Sequence, residues 1–491
     1  MKVKFLGAAM SAALTIGLLA APAASASVVE GRAQAVGLLK SGGPVLSAAA
    51  EKALLGSDED LRVFLADGQR TAKAEDERVL AAQDEKNRKL IVQAAGRGGP
   101  SVKDAAKKAL AGTAADRKKF LEIDYAVCQN IDYDVLTTRQ LSAGPEVRAA
   151  AQRALNTNST DDVRDFVFFV RQAATERDNE SAEVQRLTDE AYAAADQGDA
   201  EGARYAAGEA AAVAKNARDA NAQRLEGLRF QWGAEARAAW QAEIDRAKRD
   251  KAEADKAAAQ KTDAAKLIAD AVADATLAVP NGRRAAATFL KLGGPAVKAA
   301  AEVTLSGDEA DARAFVATEL AVATEKDDRA AVAAIANGPG SDRLHQAAKD
   351  VLAGPYAGVV EFLRTRNYPG RETDDRIAVN QIMSAGGRVV KERAQKALDG
   401  TPADVRAFLE VGQFAAKIVD DRIKVAQSLS SGAEVDAAAQ AVLDGSDSGL
   451  APFLASGLGK AKLRDQDTAA HVARIDELVA GAAAAAESVE Q

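Results

Sequence analysis

The sequence predicts an all-α protein: an α-solenoid or ring of repeated two-helix units, interrupted by one inserted, coiled-coil-like helical hairpin. Three observations carry this. Ala makes up about a quarter of the 491 residues while only 4% are aromatic, so the apolar surface is mostly small, and Ala loses no side-chain entropy in a helix. A Phe recurs seven times in the same company of residues. Between the third and fourth Phe runs a stretch of Lys, Glu, Ala and Arg with no Pro before Pro280. The length exceeds what a single core supports and fits an array or several domains.

Residues 1–26 read as a signal peptide. Lys2 and Lys4 precede an apolar run from Phe5 to Leu19, and Ala24-Ser25-Ala26 supplies small residues for cleavage. The run is short and broken by Gly7, Ser11 and Gly17, which argues against a membrane anchor. The expected product is secreted, extracellular and free of membrane-spanning segments.

The repeat is marked by Phe64, Phe120, Phe166, Phe315, Phe362, Phe408 and Phe453. Ten residues earlier stands a Leu in six units (Leu54, Leu110, Leu305, Leu352, Leu398, Leu443), with Gly two residues after it. Twelve residues after each Phe stands an acid: Asp76, Asp132, Asp178, Asp327, Asp374, Asp420 and Asp465. Each unit reads as a short helix followed by a long one. Gly-Pro opens the short helix, with Pro in the first turn where a missing N–H costs nothing. The Gly after Leu is expected to stop it by taking positive φ cheaply. Ser57, Thr113, Thr401 and Ser446 suit the N-cap of the second helix, with Asp60, Asp116 and Asp404 three residues on. One such pair cannot bury its apolar face alone, and stacked neighbours can.

The pattern A-A-x-x-A-L-x-G-[ST]-x-x-D-x-R-x-F-L resembles the ALF repeat, an Ala-Leu-Phe motif of exported bacterial proteins. The resemblance covers about 27–179 and 282–466, with departures at Thr157 and Ala451.

Between these blocks, residues 180–281 read as an insertion into one long helix, going out and back as a hairpin. Val184, Leu187 and Ala191 give one apolar face, and Leu225, Leu228, Trp232 and Ala239 another. The clearest turn signal, Asp196-Gln-Gly198-Asp199, is off-centre. A C-terminal helix and Ala-rich tail occupy 467–491. A repeat body with a coiled projection resembles the core subunit of umbrella toxin particles. That resemblance implies repeats closing into a ring, an insertion contributing to a stalk, and adaptor-like secreted proteins as partners. No toxin domain is expected between the repeats and Gln491.

Little in the sequence points to chemistry. One Cys excludes a disulfide framework, two His leave little for His-based catalysis, and the net charge of −8 argues against a nucleic-acid partner. The Asp-Asp-Arg clusters at 327–329, 374–376 and 420–422 could be paired carboxylates or cation ligands. Because they recur at one phase, ion pairs between or along helices are the expected role. Cys128 reads as a small packed hydrophobe, and His345 and His471 as surface or packed residues. No catalytic residue, metal ligand or cofactor is expected. Residues that break the repeat are the candidates for partner contact: Trp232, Trp240 and Phe230 in the insert, then Phe168, Phe169, Tyr356, Tyr368 and Pro369. The expected function is a non-enzymatic scaffold for protein–protein interaction. A wall-polymer-binding envelope protein is the alternative, and an enzyme is disfavoured.

Overall fold

A computed structural model describes residues 28–489. The signal-peptide reading lies outside the described residues. Within them all regular structure is helical and no strand is present. This is an all-α repeat fold. It divides into two compact units, one comprising the described residues up to Arg78 with Ala257–Ala330, the other Val79–Lys256 with the chain from Ala331 onward.

Each pair places its Phe, 0–6% exposed in all seven, in a small core. In pair six, Phe408 packs with Val379, Val390, Ala394 and Val405; in pair two, Phe120 packs with Ile91, Val102 and Ala106. The short helices run as expected, for example Pro44–Leu55, Pro100–Ala111 and Arg388–Asp399. The next helix opens on a capping box at Ser57/Asp60, Thr113/Asp116, Asp308/Asp311 and Thr401/Asp404. Ser446 departs from this expectation: its hydroxyl lies 2.6 Å from that of Ser448 and caps nothing.

The Gly after Leu also differs. Gly56, Gly112, Gly307 and Gly400 are extended, with φ of −84°, −85°, −89° and −90°. Glycine is required there by crowding rather than by a left-handed turn. A Cβ on Gly112 or Gly400 would lie 2.6 or 2.7 Å from the capping-box carboxylate of Asp116 or Asp404.

At six of the seven Phe residues the second helix widens into one π turn, as at Phe64–Gly68, Phe120–Asp124 and Phe408–Gly412. Single π turns often mark functional sites; one recurring in six units is part of the repeat's architecture. Pair five lacks it. There Phe362 sits in helix Tyr356–Thr365, which ends at Arg366 with φ 54°, and the chain restarts at Arg371 after Pro369 and Gly370. Pro has no N–H to continue the helix, and Gly370, at φ 84°, takes the left-handed turn.

Stacking of sequence neighbours is not the whole plan. In the first unit, pair one and pair four share one core: Ala35, Leu46, Leu54 and Phe64 cluster with Ala286, Ala301, Leu305 and Phe315. The insertion reads as two unequal arms, Arg171–Asp196 and the 74-residue helix Ala200–Ala273, joined at the off-centre turn. The outbound arm and the first part of the return arm do not stand as a thin hairpin. The C-terminal helix, which begins at Leu458 rather than 467 and ends at Ser488, joins them as a third member. Val184 and Leu187, Ala210 and Ala214, and Ile475 form the seam, continued by Ala191, Ala206 and Ala482. Alanines at these contacts let the helices approach closely.

Candidate interaction surface

The recurring acids come first, because their position decides whether they are a site. The carboxylate twelve residues after Phe reaches back to the start of the short helix in its own pair. Asp76 accepts from the N–H groups of Val45 and Leu46, both at 2.9 Å. Asp132 does the same with Ser101 and Val102, Asp178 with Glu146 and Val147, and Asp327 with Ala296 and Val297. Asp420 takes Val389 and Val390, and Asp465 takes Glu434 and Val435. A helix leaves its first N–H groups without partners. The next two N–H groups are satisfied from about thirty residues away; in four of the six pairs the first position is a Pro (Pro44, Pro100, Pro145, Pro295) with no N–H to offer, and in the other two it is Arg388 or Ala433. Each of the six is a remote N-cap, which corrects the ion-pair reading of the Asp-Asp-Arg clusters for Asp327 and Asp420. Other members of the clusters do form ion pairs: Asp421 with Lys417 and Lys424, Arg422 with Asp447, Arg329 with Glu325, Asp374 with Arg343 and Asp375 with Arg371. The preceding Gly follows from the same geometry, since a Cβ on Gly43, Gly99 or Gly387 would lie 2.4–2.5 Å from the carboxylate carbon.

The other end of the short helix is held by an Arg of the preceding helix. Arg32, 1% exposed, donates to the Leu54 carbonyl at 3.2 Å; Arg376 donates to Leu398 at 3.0 Å and Arg422 to Leu443 at 3.4 Å. Burial pushes the Asp420 carboxyl up, but the two backbone N–H bonds outweigh this and hold it below the ordinary carboxylate value. These polar groups are consumed by helix ends.

The other sequence candidates for chemistry are likewise occupied. His471 is buried, its Nε2 2.8 Å from Glu180, and His345 Nε2 lies 2.9 Å from the Gly338 carbonyl oxygen. Burial, reinforced by Asp124 and Asp132, pushes the Cys128 thiol up, which keeps it protonated and a poor nucleophile.

Three of the residues that break the repeat, Phe168, Phe169 and Trp232, come together within the second unit. Tyr133, Phe168, Phe169 and Trp232 form a continuous aromatic run with successive centroid separations of 5.3, 6.3 and 5.3 Å. The outer contacts are edge-to-face, the arrangement the ring quadrupoles favour. Trp232 is half-buried against Phe169, whereas Trp240 is 46% and Phe230 77% exposed. Beside the run lies a recess of about 480 Å³ with an apolar wall of Phe169, Trp232, Ala239, Val442 and Phe453. Arg464 lines the recess, pairing with Asp165 at 3.2 Å and Glu434 at 2.9 Å. Arg224 reaches the same Glu434 at 2.7 Å. Burial raises the Asp165 carboxyl although Arg464 pulls against it. Tyr368 faces elsewhere, against the core of pair five, and donates its hydroxyl to Asp374. Sequence reasoning missed Arg464 and Glu434, which stand in unremarkable helical positions and meet Asp165 only through the fold.

Residues 32–72, 88–127, 136–167, 283–323 and 376–416 match the ALF family, described as short repeats of unknown function. The chain carries five ALF repeats. They hold Phe64, Phe120, Phe166, Phe315 and Phe408. Phe362 and Phe453, with the short helices before them, lie outside the matched ALF segments, and both pairs depart in structure, through the missing π turn and the uncapped Ser446. No curated protein matches the chain. Among the described residues, no group of three or more His, Cys, Asp or Glu is placed to hold a metal ion, and no helix is long and apolar enough to cross a membrane.

Proposed function

We propose that this ALF-repeat chain is a secreted, non-enzymatic scaffold that binds other secreted proteins as a subunit of an extracellular, toxin-like particle. One observation carries the reading. Six of the seven recurring acids are spent on helix ends, while Phe169 and Trp232, which depart from the repeat, wall one recess, and Phe230 and Trp240 on the helix of Trp232 stand exposed. Exposed aromatics beside an apolar recess are what partner hot spots are made of. The export pattern at residues 1–26 supports the extracellular setting. The test is affinity capture of the tagged chain from culture medium, comparing wild type with Phe230→Ala/Trp232→Ala/Trp240→Ala. Stoichiometric partners present with wild type and absent with the variant are expected. Identical partners in both would remove the aromatic surface from the reading. Sedimentation with cell wall in place of defined partners would favour a wall-polymer-binding role, and turnover of glycan, peptide or ester substrates an enzyme.

A further inference from the structure

Three helices of the second unit line another recess, of about 490 Å³, which shares no residue with the aromatic one. Asn179 and Glu180 come from helix Arg171–Asp196, Asn216 from helix Ala200–Ala273, and Thr468 and His471 from the C-terminal helix. Its volume is that of a small-molecule site, about 300–1,000 Å³.

His471 marks this recess. The residue is 2% exposed, and its Nε2 lies 2.8 Å from a carboxylate oxygen of Glu180. A carboxylate only accepts, so Nε2 carries the hydrogen and Nδ1 keeps a free lone pair. Nδ1 is buried, and no protein group donates to it. A buried acceptor without a donor is costly. The Glu180 contact also fixes the ring's orientation, as a carboxylate does for a histidine that must present its other nitrogen. The ring lines the recess, so a molecule held there can bring the missing donor.

The remaining lining decides the class of molecule. The charged groups are largely spent: Arg177 pairs with Glu146 at 3.4 Å, Glu183 with Arg186 at 2.5 Å, and Arg218 with Asp476. No unpaired cation lines the recess to receive an anion. The Asn179 and Asn216 amides and the Thr468 hydroxyl have no protein partner among the described residues. An amide offers both donors and an acceptor, and a hydroxyl does both. An amine would satisfy Nδ1 and leave the amide N–H groups unused. Hydroxyls answer all of them, and Ala173, Val213 and Val472 supply an apolar wall for the carbon framework that carries them.

We propose that this recess binds a small neutral saccharide, one hydroxyl of which donates to His471 Nδ1 while others engage Asn179, Asn216 and Thr468. The site does not depend on the aromatic recess, and either can fail without the other.

The probes are glucose, N-acetylglucosamine and maltose, each titrated against the full chain by saturation-transfer NMR. Saturable binding of at least one is expected. His471→Gln keeps an N–H for Glu180 and removes the Nδ1 acceptor. It should raise the midpoint at least about tenfold, the loss of one buried hydrogen bond. Asn216→Leu/Thr468→Val leaves the His471–Glu180 pair intact and should raise it about as much; it serves if the His471 variant does not fold by circular dichroism. In imidazole nitrogen spectra the Nδ1 signal of His471 should move on sugar addition while that of His345 stays. No saturable binding of any of the three sugars overturns the inference, as does binding that both variants leave unchanged. Saturation by ethylammonium in place of the sugars overturns it too, by assigning the recess to a cation drawn by Glu176.

Discussion

Pairs six and five carry the same acid at the same register and use it differently. In pair six, Asp420 is buried and gives one oxygen each to the N–H groups of Val389 and Val390. In pair five the short helix opens instead on Ser341, whose own hydroxyl accepts from Leu344 N–H at 3.1 Å. A local cap has replaced the remote one. Asp374 is thereby released to accept from the Ser341 and Tyr368 hydroxyls and from Arg343. One difference at the start of a short helix thus changes what the long helix must supply. It travels with the loss of the π turn and the break at Pro369-Gly370, and Phe362 lies outside the matched ALF segments.

The largest expected effect comes from filling the space the remote cap needs. In Gly387→Ala the new Cβ would lie 2.5 Å from the Asp420 carboxylate carbon, and that carboxylate is pinned by two hydrogen bonds. The cost should be about 2–3 kcal/mol, read as a lower urea midpoint. Gly340→Ala in pair five meets only the Leu344 Cδ2 at 2.8 Å and His345 Nε2 at 3.2 Å, both ends of movable side chains. It should cost less than about 1 kcal/mol. Equal losses would break the comparison.

How much of this was legible can be judged residue by residue. The Phe, the Gly-Pro start and the capping boxes were readable because each is a local signal of helix packing or helix ends. The acid's role had a signal too, a constant separation of a little over thirty residues from the Gly that precedes the short helix, but charge beside charge pointed first to ion pairs. The π turn left no such trace, since one extra residue per turn hardly disturbs an apolar stripe. The sharing of one core by Phe64 and Phe315, and the meeting of Arg464 with Asp165, are long-range pairings that nothing local encodes. Trp232 and Trp240 looked equivalent at eight residues apart, yet only Trp232 meets Phe169.

The next effect in size separates the two carboxylates directly. Asn in place of Asp420 keeps one acceptor and turns an NH2 toward a backbone N–H, so Asp420→Asn should cost about 1–2 kcal/mol. Asp374→Asn should cost less than about 0.5 kcal/mol, because the Ser341 cap persists. The pH dependence sharpens this. A carboxyl held below its ordinary value in the folded chain stabilises fully above the unfolded pKa of about 4, and that contribution disappears as pH falls through the lower folded value. The gap between wild type and Asp420→Asn should therefore be constant near neutrality and close under acid. A gap that persists unchanged well below pH 4 would mean that the charge on Asp420 is irrelevant to the cap.

The smallest effect tests whether the two ends of a short helix are held independently. Arg376, on the long helix of pair five, donates to the Leu398 carbonyl at the far end of the helix that Asp420 caps. Arg376→Met keeps most of the aliphatic stem and removes one hydrogen bond, worth about 1 kcal/mol. The two contacts are separated by nearly the whole 12-residue helix, about 15 Å along its axis. At that distance separate perturbations should add within about 0.5 kcal/mol. The measurement is a double-mutant cycle of Asp420→Asn and Arg376→Met by urea unfolding, with amide exchange followed at Val390 and Gly400. Additivity, with exchange rising at Val390 for the first change and at Gly400 for the second, means that the flanking helices clasp two separate ends. Coupling above about 1 kcal/mol, with both amides loosened by either change, would mean that the short helix opens as one piece and that its two caps act as a single device.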